Sequence, residues 1–193
     1  MSSNPRRRGA SAFTILIAAS FLTLPMTGCS ATPKAENQAA FLESASASRT
    51  WFESNVNGLH DQIESAEAYV VFPDIAQWGI IFTGGKFGRG ALLRPDGSQI
   101  GWGAINTGSI GLQAGVQGFK MLVVIENKMA LEKFMSDSWT GSAEAVAVVA
   151  ETGGNAVAPF RNGTSVYTGA NQGVMAGASV GLQYIRYKPL EDD

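Results

Sequence analysis

The first stretch of the chain changes sharply from cationic to apolar. Three arginines occupy positions 6–8, and a nearly unbroken apolar run follows from Ala10 to Leu24. The run is about 15 residues long, whereas a helix that spans a bilayer needs about 20 residues. A cationic start, a short apolar run and small residues before position 29 are typical of a cleaved export signal. The pattern therefore predicts that residues 1–28 are removed.

Helical spacing follows this segment. Leu42, Ala45, Phe52 and Val56 fall on one face of a helix. Pro33 suits the first turn, because its missing N–H would have no intrahelical partner there. The pattern predicts a tether over residues 29–34, an amphipathic helix that ends near residue 55 and a short helical segment over 61–66.

From Ala68 onward the chain favours β-structure, with a single helix predicted from Lys128 to Trp139. Alternating and β-branched segments predict strands at 68–72, 79–83, 90–93, 100–105, 109–119, 121–125, 143–150, 164–168 and 173–187. We expect Pro73-Asp74 to end the first of these strands. The sequences Pro95-Asp96-Gly97 and Arg161-Asn162-Gly163 predict turns, the second being the strongest hairpin signal in the chain.

This order of elements predicts an α+β fold. We expect a strongly curved antiparallel sheet or a partial barrel, with an N-terminal amphipathic helix and one inserted helix. About 165 residues remain once residues 1–28 are removed, which is the size of one domain.

The only cysteine of the protein stands where the predicted export signal ends. Thr27-Gly28-Cys29 resembles the lipobox of bacterial lipoproteins, although Met26 stands where that pattern usually has Leu. The resemblance implies that Cys29 carries a lipid anchor of fatty acyl chains such as palmitate. Ser30 is not the Asp that retains such proteins in the inner membrane. The expected location is therefore the periplasmic face of the outer membrane, if the source is Gram-negative.

Composition excludes several classes of function. Removing residues 1–28 takes away three arginines and no acid, so the net charge falls from −2 to about −5. A nucleic-acid partner is therefore not expected, since such proteins carry a basic excess. A single histidine, His60, and a single cysteine leave no catalytic triad, internal disulfide, multi-histidine metal site or CxxC site. We predict a non-enzymatic protein with no metal and no cofactor.

A glycine-rich segment from Gly84 to Gly90 is the candidate binding element. It lacks the GK[ST] ending of a phosphate-binding P-loop and lies between two predicted strands, not before a helix. The pattern favours a hairpin whose tip exposes Lys86, Phe87 and Arg89. Two cations beside an aromatic ring suit contact with a lipid headgroup and its acyl region. We predict lipid binding by these three residues.

Five blocks, in order, resemble the SYLF domain family. They are Tyr69-Val-Val-Phe-Pro73, Trp78-Gly-Ile-Ile-Phe-Thr-Gly-Gly-Lys-Phe-Gly-Arg-Gly90, Gly108-Ser-Ile-Gly-Leu-Gln-Ala-Gly-Val-Gln117, Ala130-Leu-Glu-Lys-Phe134 and Gly173-Val-Met-Ala-Gly-Ala-Ser-Val-Gly181. The resemblance implies a lipid-binding module, since eukaryotic members bind phosphoinositides and some bind actin, while bacterial members are commonly lipoproteins. Arg89 stands where the family often has Glu, and Lys120 lies near a position that is commonly polar or acidic.

The resemblance implies a SYLF-like domain over residues 35–188, followed by a tail over 189–193. Two hypotheses follow. In the first, a membrane-anchored periplasmic lipoprotein binds phospholipid, or a membrane surface, through this domain. In the second, the domain is a cell-envelope module that binds another protein and is localised by its anchor. The sequence leaves the lipid, any envelope partner and the oligomeric state open.

Overall fold

The computed structural model describes residues 32–136, 139–141, 146–149, 155–172 and 183–190. The predicted export signal, Cys29 and residues 191–193 of the predicted tail lie outside the described residues. The helices are α1 (Ala35–Asn55), α2 (Leu59–Glu64) and α3 (Lys128–Met135). The strands are β1 (Val56–Asn57), β2 (Ala68–Leu93), β3 (Gln99–Ile125), β4 (Trp139–Gly141), β5 (Val146–Val149), β6 (Asn155–Ala156), β7 (Thr164–Gln172) and β8 (Gln183–Pro189).

Two very long strands, β2 and β3, form an antiparallel ribbon that is the centre of the fold. The prediction that Pro73-Asp74 ends a strand is wrong, because β2 continues past it with a register shift between Phe72 and Ile75. A bulge can accommodate proline, which has no N–H to donate to the ladder. The predicted turn at residues 95–97 joins the two strands, and Gly97 has a φ of +85° there. That turn is confirmed.

The remaining strands extend the sheet from the other edge of β3. β8 pairs with β3 along Gly101–Ile105, and β7 pairs with it along Gly118–Ile125. β4 then pairs with β8, and β5 lies parallel to β7. Six of the described strands therefore form an open, predominantly antiparallel sheet, and β1 and β6 pair in parallel as a separate two-stranded sheet. With α1 at the start and α3 after β3, the predicted α+β class is confirmed.

One face of the ribbon, here called the inner face, folds onto itself around a hydrophobic core. A Cβ added at Gly90 would lie 2.8 Å from the ring of Phe72, and one added at Gly88 would lie 2.7 Å from Cγ1 of Ile75. Only glycine allows the two halves of β2 to approach so closely. This inner core consists of Ala68, Val70, Phe72, Ile75, Leu92, Ile105, Phe119, Met121, Val123, Ile125, Ala130, Leu131, Phe134, Val166 and Ile185.

The opposite, outer face of the sheet is covered by α1 and α2. Because successive side chains of a strand point to opposite faces, Val70 and Phe72 lie on the inner face and Tyr69 and Val71 on the outer face. The outer core consists of Ala45, Phe52, Val56, Leu59, Ile63, Tyr69, Val71, Ala91, Trp102, Leu122, Val124 and Tyr167. The apolar face predicted for the first helix is thus confirmed at Ala45 and Phe52, whereas Val56 is buried in the same core but belongs to β1.

Two local predictions differ in outcome. The turn at Arg161-Asn162-Gly163 is confirmed: Asn162 and Gly163 have φ values of 52° and 78°, and Arg161 and Thr164 exchange backbone hydrogen bonds of 2.8 and 3.1 Å. The predicted helix end at Trp139 is wrong, because α3 ends at Met135 and Trp139 begins β4. Ser136 at the helix terminus already has an extended conformation, with ψ of 140°.

Candidate functional site

The three predicted binding residues, Lys86, Phe87 and Arg89, do not lie at a hairpin tip. They belong to the uninterrupted strand β2 and stand opposite Thr107, Asn106 and Ala104 of β3. The prediction of a hairpin over residues 84–90 is therefore wrong. The glycines of this segment serve close packing inside the sheet, as at Gly88 and Gly90, and not a change of chain direction.

The alternation of β2 separates the predicted residues between the two faces. Lys86 lies on the inner face, where its Nζ is 5.6 Å from the ring centroid of Phe119. Burial lowers the pKa of Lys86 from its ordinary value. Directly opposite, Thr107 has a buried Oγ1 without a hydrogen-bond partner among the described residues. The structure thus places Lys86 beside a polar interior position and away from the other two residues.

Phe87 and Arg89 lie together on the outer face. The guanidinium carbon of Arg89 is 5.3 Å from the ring centroid of Phe87, which is within the range of a cation–π contact. Ala91, the next residue on this face, belongs to the outer core below α1. An arginine and an aromatic ring are therefore half-exposed on the face of the sheet that carries the first helix.

Two further cations share this face, and both were missed by reasoning from the sequence. Arg186 of β8 is in register with Ala104, which in turn faces Arg89, so the two arginines flank a small residue in one cross-strand row. Lys188 is in register with Trp102 in the next row. The sequence contained a signal for this placement. Ile185 and Tyr187, which face the inner core, alternate with Arg186 and Lys188, so the two basic residues must point to the other face. We call Arg89, Arg186 and Lys188 the basic row.

A second polar arrangement joins α1 to the sheet through Arg49. Its guanidinium donates hydrogen bonds to Glu53 Oε1 (2.9 Å), Glu64 Oε1 (2.9 Å), the Tyr69 hydroxyl (2.9 Å) and the Pro95 carbonyl (3.2 Å). Burial alone lowers the pKa of Arg49, but its hydrogen bonds to Glu53 and Tyr69 outweigh burial and raise it. Because these N–H groups of Arg49 bind other groups of the protein, we interpret the cluster as a structural link that joins α1 to α2, β2 and the β2–β3 turn.

A cleft of about 430 Å³ lies beside Arg49 and its partners, between α1 and the outer face of the sheet. Its walls include Leu42, Thr50, Leu93 and Gln99 as well as Arg49 and two of its partners, Glu53 and Tyr69. His60, the single histidine, is exposed at the margin of the same region, and its Nδ1 lies 3.3 Å from Glu53 Oε1. The cleft is therefore lined by both apolar and polar groups.

Neither a metal site nor a membrane-spanning helix is found in the described ranges. Among residues 32–136 and the shorter described segments, no three His, Cys, Asp or Glu side chains are grouped to hold a metal ion. In the same part of the chain, no helix combines the length and apolar character that crossing a bilayer requires.

Comparison with known proteins gives one family match. The model of the family described as Ysc84, Las17-binding protein actin regulator, matches residues 106–190. The match begins within the first third of β3 and extends to the residue after β8, so it includes Arg186 and Lys188 of the basic row. Comparison with curated proteins finds no match.

Proposed function

We propose, on the premise that residues 106–190 match the model of the Ysc84, or SYLF, family, that the protein is an exported, membrane-anchored lipoprotein whose domain binds phospholipid. The family binds lipids and actin-related partners in general. An exported bacterial protein does not meet actin, so the lipid is the partner that remains compatible with the predicted location. The anchor is Cys29, and the domain faces the periplasm from the outer membrane.

The observation that carries the lipid-binding proposal is the pairing of Arg89 with Phe87 on the outer face. A cation that lies 5.3 Å from an aromatic ring, both half-exposed, offers one group for a phosphate and one for the interface between headgroup and acyl chains. Lys86, the third residue predicted from the sequence, faces the inner core and does not contribute to this pair.

The protein-interaction hypothesis is less well supported by the described surface. Large, exposed hydrophobic side chains there are Met129, Val157 and Leu190, which lie on three separate segments. An interface for a protein partner is expected to present a contiguous apolar patch, and these three side chains are the large hydrophobic groups that the described residues expose. We therefore keep this hypothesis as the alternative outcome of the experiment below.

The anchor is tested by labelling growing cells with radioactive fatty acid. The wild-type protein is expected to take up label, and Cys29→Ser is expected to take up none. Label that persists on the Cys29→Ser protein would show that the anchor has been assigned wrongly. A Ser30→Ala protein is the matched control, because it changes the neighbouring residue and leaves the thiol in place.

Lipid binding by the domain is tested with the chain from Ser30 to Asp193, which retains every described element but cannot be acylated. The purified chain is extracted with organic solvent, and the extract is examined by lipid mass spectrometry. The same chain is then mixed with phospholipid vesicles and floated through a density gradient. Co-purified phospholipid or flotation supports the proposal, whereas a lipid-free chain that ignores vesicles favours the protein-interaction alternative.

A further inference from the structure

The cleft between α1 and the outer face changes from apolar to polar along the helix. Leu42 and Ala45 line the end nearer the start of α1, Val71 of β2 adds apolar surface from the sheet, and Arg49 and Glu53 line the other end. Leu42 and Glu53 are about 16 Å apart along the helix axis. The volume of about 430 Å³ lies within the range of small-molecule sites, about 300–1,000 Å³. The cleft is therefore suited to one amphipathic ligand.

Two charged side chains at the polar end retain hydrogen-bonding capacity. A guanidinium carries five N–H groups, and Arg49 uses four of them in its hydrogen bonds, so one N–H of Nη2 has no partner among the described residues. Glu53 is contacted by Arg49 and His60 at Oε1, so its Oε2 is also not bonded within the described part of the chain. The side chains of Arg49 and Glu53 are 18% and 20% exposed, so both can meet a ligand in the cleft.

Two hydroxyl groups of α1 lie beside these charges. Ser46 precedes Arg49 by three residues and Thr50 precedes Glu53 by three, so each hydroxyl is the neighbour of one charged group on the helix surface. Ser46 is exposed, and its hydroxyl can donate. Thr50 Oγ1 donates its own proton to the Ser46 carbonyl at 3.1 Å, which leaves its oxygen as an acceptor. The donors thus lie nearer the apolar end of the cleft, and the acceptors lie about one helical turn farther.

The charges of this region disfavour a simple anion. Arg49 is paired with both Glu53 and Glu64, so the three side chains together carry a net charge of −1. A phosphate that is joined to an ammonium is neutral overall and matches the order of the groups. Its phosphate accepts hydrogen bonds, as Arg49 and Ser46 require. Its ammonium has three donors and no acceptor, as the oxygens of Glu53 and Thr50 require.

We propose that the cleft binds one phospholipid of the phosphatidylethanolamine class. The acyl chains lie at Leu42 and Ala45, the phosphate lies at Ser46 and Arg49, and the ammonium lies at Glu53. The apolar end of the cleft is the end nearer the start of α1, so the chains point toward the part of the protein that leads back to the anchor.

This inference rests on the proposed binding of phospholipid and names the lipid class. The residues that line the cleft do not include Phe87 or Arg89, so the cleft is a second site, separate from that pair. Each site is therefore tested by its own variants.

The experiment titrates the chain from Ser30 to Asp193 with dihexanoyl phospholipids below their micellar concentrations, by isothermal titration calorimetry. The ethanolamine lipid is expected to bind about tenfold more tightly than the choline or glycerol lipid, because choline has no N–H and glycerol has no positive charge for Glu53. Phosphoethanolamine, which is the headgroup without acyl chains, is expected to bind at least about tenfold more weakly than the whole lipid, because the end at Leu42 stays empty.

Two substitutions in α1 test the site independently. Glu53→Gln is expected to weaken binding of the ethanolamine lipid about tenfold. Its control, Glu43→Gln, makes the same change at an exposed position of α1 outside the cleft and should stay within about twofold of wild type. Ser46→Leu fills part of the cleft without replacing a partner of Arg49, and it should weaken binding at least about tenfold. Ser44→Leu, which is exposed and outside the cleft, is the matched control.

The outcomes separate the cleft from phospholipid binding in general. If the three lipids bind equally, or if Glu53→Gln and Ser46→Leu bind as well as wild type, the inference is overturned while phospholipid binding by the domain stands. If phosphoethanolamine binds as tightly as the lipid, the ligand is a free headgroup and the lipid assignment is overturned. If no dihexanoyl lipid binds but the chain floats with vesicles, the cleft is not a lipid site and the proposed function remains; if flotation also fails, both are overturned. Thermal unfolding checks that each variant is folded.

Discussion

Arg49 of α1 donates a 2.9 Å hydrogen bond to the hydroxyl of Tyr69 in β2, and its guanidinium carbon also lies 4.8 Å from the ring centroid of the same tyrosine. The same side chain bonds Glu64 of α2 and the carbonyl of Pro95 in the β2–β3 turn. One residue therefore connects two helices, a strand and a turn. Because its side chain is only 18% exposed, the bonds are partly shielded from water and contribute more than a surface ion pair.

Replacing Arg49 with Met keeps much of the apolar stem but removes every one of these bonds. We expect Arg49→Met to lower the free energy of unfolding by about 2 kcal/mol, because Tyr69, Glu53 and the Pro95 carbonyl lose a donor. Urea denaturation measures this loss. The control is Arg94→Met, which breaks an exposed pair with Glu67 at 3.3 Å and should cost less than about 1 kcal/mol. Equal losses in the two variants would contradict the role of Arg49.

The contact between Gly90 and Phe72 predicts that a methyl group at position 90 is not tolerated. In Gly90→Ala the added Cβ would lie 2.8 Å from the phenyl ring, and we expect a loss of about 2 kcal/mol from overpacking. The smaller side chain in Phe72→Leu should relieve part of the clash. In a double-mutant cycle, the loss in the double variant is therefore expected to be smaller than the sum of the two single losses. Strictly additive losses would show that the ring is not the obstacle.

The same glycines explain how much of the fold could be predicted from the sequence. The helices and segments such as 68–72 and 121–125 were predictable in type, because their periodicity is local, although the ends at Pro73-Asp74 and Trp139 were not. The continuity of β2 through residues 84–90 was not. Four glycines in seven residues indicate a turn when only neighbours are considered, whereas Gly88 and Gly90 meet Ile75 and Phe72, more than ten residues away. Such long-range packing leaves no local signal.

The candidate site was predictable only in part, for a related reason. Once residues 86–89 belong to a strand, a period of two sends Lys86 to one face and Phe87 with Arg89 to the other. The prediction of a turn concealed this separation. Arg186 and Lys188 join Arg89 only through the pairing of β3 with both β2 and β8, and no sequence motif specifies that pairing.

The buried hydroxyl of Tyr167 leads us to expect that the free energy of unfolding depends on pH in the alkaline range. Burial raises the pKa of its hydroxyl, although hydrogen bonds with the Ala158 N–H (2.9 Å) and Gln62 lower it in part. Because the pKa of this hydroxyl is higher in the folded than in the unfolded state, its contribution to the free energy of unfolding is complete below the unfolded pKa of about 10. It is lost as the pH rises from there through the folded value, since the unfolded chain releases the proton first.

We expect the free energy of unfolding to decrease above about pH 10, with a smaller slope in Tyr167→Phe than in wild type. Urea titrations at a series of pH values measure the two slopes. Burial also raises the pKa of Tyr187, so Tyr187→Phe is the comparison that assigns the remaining slope. An unchanged slope in Tyr167→Phe would show that the hydroxyl of Tyr167 titrates as freely in the folded protein as in the unfolded one.

The separation of Lys86 from Arg89 predicts different effects of two otherwise equivalent substitutions on vesicle binding. Arg89→Gln removes a charge from the outer face and should weaken binding to phosphatidylglycerol-containing vesicles about fivefold. Lys86→Gln removes one from the inner face, beside Phe119, and should leave binding within about twofold of wild type, since a charge facing the core does not meet the membrane surface.

Co-sedimentation at low salt measures both affinities, and added salt should reduce the difference between wild type and Arg89→Gln by screening the charge. If Lys86→Gln were the weaker binder, the membrane would contact the opposite face of the sheet, and the docking geometry would have to be reversed. If both substitutions weakened binding equally, the interaction would depend on net charge and not on the face that α1 shares with the basic row.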